Sequence, residues 1–203
     1  MLSSRIFIAL LAVFVYLQAP AVTAETESPT EQLKPTLEKL VDILSDPSLE
    51  GQENKKKRRD LIMSTISKRF DFREMSKRVL GPTWREISPE ERDNFTAEMT
   101  KLLENNYIGQ LENYSGETVE YVGERVREDR AQVSTLIESE GSQYPVHYIM
   151  NREDGKWMVY DINIEGVSLI RNYRAEFKSI LRRQNYEGLI KTLEKKNASF
   201  EQS

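Results

Sequence analysis

The chain contains no cysteine and a single histidine, His147. Without a thiol it can form no disulfide, offer no thiolate nucleophile and carry no lipid on an N-terminal cysteine. One imidazole cannot assemble the usual zinc, haem or iron–sulfur ligand sets, so no metal site and no cofactor are expected. The nine glycines are scattered at turn-like positions, build no phosphate-cradling loop, and flank no serine in a Gly-x-Ser-x-Gly elbow. A bilayer-spanning run is also missing. The longest apolar stretch, residues 6–17, is well short of the roughly 20 helical residues that a membrane crossing needs.

That short run follows Arg5 and precedes Pro20 and the small residues Val22, Thr23 and Ala24, the pattern of a cleaved export signal. Residues 1–24 are therefore expected to be removed, with cleavage after Ala21 as the alternative. Residues 25–203 are expected to form one domain, with 195–203 as a polar, mobile tail. A domain of this size buries a core without disulfide staples, which suits a cysteine-free protein in an oxidising compartment. The net charge of −4 argues against nucleic acid as a partner. The basic run 55–59 (KKKRR) is the local exception. It reads as a solvated helix start, with contact to acidic headgroups or a partner as the alternative, and Lys191, Lys195 and Lys196 are further docking candidates.

Periodicity organises the remainder. Residues 25–30 read as a frayed start. Leu33, Leu37, Leu40, Val41 and Leu44 recur at helical spacing, and Leu61, Ile62 and Ile66 mark a second helix. A short third helix, with Met75 and Val79 inward, ends at Gly81-Pro82. Ser88-Pro89-Glu90-Glu91 predicts a helix start by a capping box, followed by the stripe Phe95, Met99, Leu102, Leu103, Tyr107 and Leu111. Beyond Gly116 the period becomes two. Val119 with Tyr121, Val133 with Thr135 and Ile137, Val146 with Tyr148 and Met150, and Trp157 with Val159 predict four antiparallel strands. Their second faces also carry apolar residues, namely Val122, Leu136, Ile149, Met158, Tyr160, Ile162 and Ile164. Both faces must then be partly covered, by a filled core or around a cavity; periodicity alone favours the filled core. From Val167 the helical period returns through Ile170, Tyr173, Phe177, Ile180 and Leu181, and a last helix holds Leu189, Ile190 and Leu193.

Catalytic chemistry is sparse. His147 reads as a half-exposed strand residue. Asp161, by alternation, shares a face with Trp157 and Val159, so it either accepts hydrogen bonds at the sheet end or serves as a base in a closed interior, with Tyr160 or Tyr148 as an oxyanion donor. Tyr107, Tyr121, Tyr148, Tyr160 and Tyr173 are either core or the wet rim of a cavity. Trp84 is expected to close the end of the third helix.

Several segments, taken together and in order, resemble the MlaC or toluene-tolerance family of periplasmic phospholipid-binding proteins. They are GKWMVYDINIEGVSL (155–169), NYRAEF (172–177) and GLIKTL (188–193), preceded by FDFREM (70–75), Leu80-Gly81 with Trp84, SPEER (88–92) with Phe95, and Tyr114 with Gly116-Glu117. The resemblance spans nearly the whole of 25–203. It implies an α+β fold, with helices packed on a curved, NTF2-like antiparallel sheet around an apolar lipid pocket. It also implies a monomeric, non-enzymatic periplasmic carrier of phospholipid, or of hopanoid in a related branch. Such a carrier serves an outer-membrane lipoprotein complex and an inner-membrane ABC transporter complex with a lipid-binding ring protein. Matching positions suggest Tyr160 and Val167 near the pocket, lined by Val146, Tyr148, Met150, Trp157, Ile162 and Leu169; periodicity adds Leu80, Leu103, Tyr107 and Leu111 from the helices.

Overall fold

A computed structural model describes residues 27–201 except 113, 115 and 140. The expected signal segment and its cleavage site lie outside the described residues. The elements in chain order are α1 (Pro29–Leu44), α2 (Lys55–Ile66), α3 (Phe72–Leu80), α4 (Thr83–Glu86), α5 (Pro89–Glu112), β1 (Thr118–Arg127), β2 (Arg130–Ser139), β3 (Ser142–Glu153), β4 (Lys156–Ile164), β5 (Val167–Ser168) and α6 (Leu169–Glu201). Two short 3-10 turns, Pro47–Leu49 and Gln52–Asn54, lead into α2. Among the described residues no helix is long and apolar enough to cross a membrane.

Two Ser-Pro-x-Glu sequences start the framing helices. Ser88 Oγ accepts from Glu91 N at 3.2 Å while Ser88 N donates to the Glu91 carboxylate at 2.7 Å, which opens α5 as expected. Ser28 and Glu31 repeat the device at 3.2 and 2.8 Å, so α1 begins at Pro29, where the sequence reading placed a frayed segment. The basic run 55–59 opens α2 and is largely engaged. Lys56 pairs with Asp60 at 2.6 Å, Arg58 donates to the Leu44 carbonyl at 2.8 Å, and Arg59 pairs with Glu104 of α5.

The sheet is antiparallel throughout, in the order β1-β2-β3-β4-β5. Bulges at Val122 in β1 and Tyr160 in β4 interrupt its register. Such insertions bend a strand and turn the following side chains over. Helix α1 lies across the inner face, touching β1, β2 and β4. Gln32, 8% exposed, ties it down: its carbonyl oxygen accepts from Trp157 N at 2.9 Å and from Arg69 Nη1 at 2.8 Å, and its amide nitrogen donates to the Gly155 carbonyl at 3.3 Å. The outer edge of β4 is closed in two pieces. Residues 69–71 pair with Val159, through Val159 N to Arg69 O and Asp71 N to Val159 O at 2.8 Å each, and β5 pairs with Asn163 and Ile164.

Helices α3, α5 and α6 pack on one another as a second group, with Phe95 of α5 edge-on to Phe177 of α6 at 6.2 Å between centroids. Two expectations are corrected here. Val167 belongs to β5 rather than to the helical run through Leu181, because Ser168 caps α6 by accepting from Arg171 N at 3.1 Å. The polar stretch from Lys195, expected as a tail, continues α6 to Glu201; Asn197 is 1% exposed and donates to the Glu98 carbonyl and carboxylate of α5 at 3.0 and 2.8 Å. Helix α6 also bends at Asn185, whose φ of 55° lies outside the helical region, and Asn185 Oδ1 accepts from Gly188 N at 3.2 Å to restart it.

Gln32→Ala is expected to cost about 2 kcal/mol in urea unfolding, since it strands the buried Trp157 amide. Gly188→Ala is expected to lower the thermal midpoint despite alanine's better helix propensity, because a Cβ there would lie 2.3 Å from Gln184 Cβ across the bend.

Candidate functional site

Paired residues on adjacent strands share a face, so the register orders the inner face into rows. Val126, Ala131, Met150 and Val159 form one; Glu124, Val133, Tyr148 and Ile162 the next; then Tyr121, Thr135, Val146, Ile164 and Val167; and last Val119, Ile137 and Tyr144. Burial changes along this series. Met150, Val159, Val133 and Trp157 are closed off under α1, whereas Ile164 and Tyr144 are 39% exposed and Val167 is 61% exposed. From β2 to β4 one end of the apolar face is therefore packed, while Val126 at its β1 edge is exposed. The other end, beside the β2–β3 turn and β5, stays open.

The bulge at Tyr160 creates that open end. Simple alternation puts Ile162 and Ile164 on the second face and Asp161 with Trp157. Instead Met150 pairs with Val159 and Ile149 with Asp161, so the extra residue turns Ile162 and Ile164 inward and Asp161 outward. The expected two-faced apolar sheet becomes one apolar inner face and an outer face of Gln132, Ser134, His147, Asp161 and Asn163 among a few apolar residues. His147 is half-buried there, with Nδ1 3.0 Å from Ser134 Oγ.

Of the twelve sequence-predicted residues, Val146, Tyr148 and Ile162 fall side by side on the inner face. Val167 stands across Ile164 from Val146, in the same row, and Leu169 is half-buried at the start of α6. Met150 and Trp157 share that face at its packed end. Leu80, Leu103, Tyr107 and Leu111 belong to the α3–α5–α6 group: α5 makes its main contacts with α3 and α6, and Tyr107 meets Tyr173 of α6. Tyr160 is separated from the rest. Its ring lies 3.7 Å beneath the Arg78 guanidinium, in a pocket that also includes the outer-face residues Ile149 and Asp161. Missed by sequence reading were Ile164 as the cross-strand neighbour of Val167, since only the bulge and the β5 pairing bring them together, and Ile137 with Tyr144 as the pair in the next row.

Polar groups in the apolar face are few. Burial raises the Tyr148 phenol well above its usual range, and nearby Tyr121 and the Thr135 hydroxyl are lesser influences. The Tyr121 phenol is pushed up to about 12, chiefly by burial and then by Glu38, and its hydroxyl has no hydrogen-bond partner. Asp161 is engaged: Oδ2 accepts from Ser168 Oγ at 2.6 Å and Oδ1 from Ile170 N at 3.1 Å. It thus takes the hydrogen-bond-accepting role at the sheet end and does not face the interior. Among the described residues no cluster of His, Asp and Glu could hold a metal ion. What the geometry offers is a dry surface with an open rim.

Residues 34–195 match the family described as MlaC protein. The intermembrane phospholipid transport system binding protein MlaC of Haemophilus influenzae is 23% identical over 181 residues, covering 86% of this chain and 84% of that protein. Toluene tolerance protein ttg2D of Pseudomonas putida is 22% identical over 178 residues, covering 86% and 82%. Among solved structures, a phospholipid-binding protein from Ralstonia solanacearum in complex with a phospholipid superposes with a TM-score of 0.79 at 27% identity, covering 86% of this chain and 99% of that one. With most of its length matched to that family, and with the same arrangement of helices on a curved antiparallel sheet as the lipid-bound Ralstonia protein, this chain belongs to the MlaC family.

Proposed function

We propose that the protein is a periplasmic lipid carrier that holds the acyl chains of a phospholipid against the inner face of its sheet. It would shuttle its cargo between an outer-membrane lipoprotein complex and an inner-membrane ABC transporter complex with its ring protein. The observation that carries this is the graded inner face, closed at Met150 and Trp157 and open at Tyr144, Ile164 and Val167. Isolated exposed apolar residues are ordinary, but these are neighbours continuous with the core. An acyl chain gains about 0.8 kcal/mol for each methylene taken out of water, so a dry slot supplies the affinity and no charged headgroup clamp is needed. The phospholipid in the Ralstonia relative supports the same cargo class.

In this reading Val146, Tyr148, Ile162, Val167 and Leu169 flank the chains, with Ile164, Ile137 and Tyr144 at the rim. Met150 and Trp157 floor the deep end. Leu103, Tyr107 and Leu111 of α5 and Leu80 of α3 would contribute from the α3–α5–α6 group. Asp161 has no base's role, because both its oxygens hold the start of α6.

Organic extraction of the purified protein is expected to release stoichiometric phospholipid; hopanoid would change the cargo, and an empty extract would overturn the carrier. Val167→Glu is expected to lose the lipid and keep its circular dichroism spectrum, because the position is exposed; native mass spectrometry showing a loaded variant would remove Val167 from the site. Asp161→Asn is expected to remain loaded but to unfold about 1 kcal/mol more easily, having weakened a charge-assisted cap. Loss of cargo without loss of stability would contradict its structural role.

A further inference from the structure

On the other side of the Tyr160 bulge is a pocket of about 570 Å³ between α3, α4, the start of α6 and the outer face of β3 and β4. Five cations line it: Lys77, Arg78, Arg85, Arg171 and Arg174. Its two carboxylates are already engaged. Glu74 pairs with Lys77 at 2.9 Å and Arg78 at 2.8 Å, and Asp161 is held by Ser168 and Ile170. Among the described residues, Arg85, Arg171 and Arg174 have no ion-pair partner, and all three are exposed. Arg174 is drawn in over the α3 terminus, where Gly81 makes room; a Cβ at Gly81 would come within 3.0 Å of Arg174 Nη2. In a chain of net charge −4, this concentration of unneutralised arginines is local.

From this pocket we infer a docking site for an acidic segment of a partner protein. Three features favour that occupant. The arginines come from two elements, Arg85 from α4 and Arg171 and Arg174 from α6, which suits several carboxylates along a peptide. The backbone donors at the start of α6 are taken, Ile170 N by Asp161 and Arg171 N by Ser168, so no cradle remains for a single phosphate. The lining also includes exposed Pro82 and half-buried Ile149, apolar surface for the side chains between the acids. A concave pocket also suits a peptide better than a membrane plane. Arginine serves here because its planar fork pairs bidentately with carboxylate. The site lies on the opposite side of β4 from the lipid face, so a partner could be engaged while cargo is held. The inference rests on the carrier reading only for the partner's identity.

The test uses a fluorescein-labelled peptide of alternating Glu and Ser with one central Tyr, its Gln-for-Glu counterpart, and phosphatidylglycerol vesicles. At low salt the acidic peptide is expected to bind the wild type and the Gln peptide not to. Binding should weaken at least about tenfold in Arg85→Glu/Arg171→Glu and be unchanged in Lys55→Glu/Lys57→Glu. Arg85→Gln/Arg171→Gln, which removes charge without reversing it, is expected to fall between and serves if the reversal disturbs folding. Equal loss in the control variant, equal binding of the Gln peptide, or adsorption to vesicles with no peptide binding would each overturn the proposal. Lipid content, measured by extraction on the same samples, is expected to be unchanged in both arginine variants, so the docking site and the carrier reading can fail separately.

Discussion

One inserted residue in β4 decides how this sheet is used. With Tyr160 bulged out of the ladder, Val159 and Ile162 face the same way although they are three positions apart, and Asp161 faces the other. A regular strand would give one of these isoleucines' places to a carboxylate and expose the isoleucines on the outer side. The insertion collects Ile162, Ile164, Val146 and Tyr148 on one surface. It also frees Asp161 to accept from Ser168 Oγ and Ile170 N, so the same bulge fixes where α6 departs. The apolar inner face and the helix start are thus coupled through one backbone irregularity.

The rest of the molecule holds that surface in place from its ends and its edge. Gln32 closes one end by satisfying the Trp157 amide and the Gly155 carbonyl, and Phe70 stands edge-on to Tyr148 at 6.5 Å. The edge of β4 is occupied on both sides of the bulge, by residues 69–71 and by β5, which leaves little open ladder for pairing with another chain. Helices α3, α5 and α6 stabilise one another, through Phe95 on Phe177 and Asn197 on Glu98.

Charge is divided between structure and surface in the same economical way. Arg59 with Glu104, Arg58 with the Leu44 carbonyl and Glu74 with two cations serve packing, so the two arginines of the conspicuous 55–59 run are structural while its three lysines stay exposed. Arg85, Arg171 and Arg174 occur singly in the sequence and attract no notice there, yet the α3–α6 approach gathers them in one pocket. Clustering in sequence and clustering in space are different properties, and the arginine pocket of this protein belongs to the second kind.

Much of the architecture was legible in the residues. Helical spacing from Leu33 to Leu44, the Ser88-Pro89-Glu90-Glu91 cap, and the two-residue alternation of Val133 to Ile137 and Val146 to Met150 follow from local geometry, which each short segment specifies by itself. The segments around Glu165-Gly166-Val167-Ser168 carried the family. Ser28-Pro29-Thr30-Glu31 is equally legible by the rule that identifies Ser88. What no local pattern could give was the face of Asp161, Ile162 and Ile164, because a bulge depends on how β4 pairs with β3 and on what lies along its edge. The same holds for Val167, whose rim position comes from pairing with Ile164, and for the burial of Asn197, which depends on α5. Sequence fixes what a segment can become through its own short-range contacts; only the packed structure, through long-range pairing, decides which side of the sheet each residue serves.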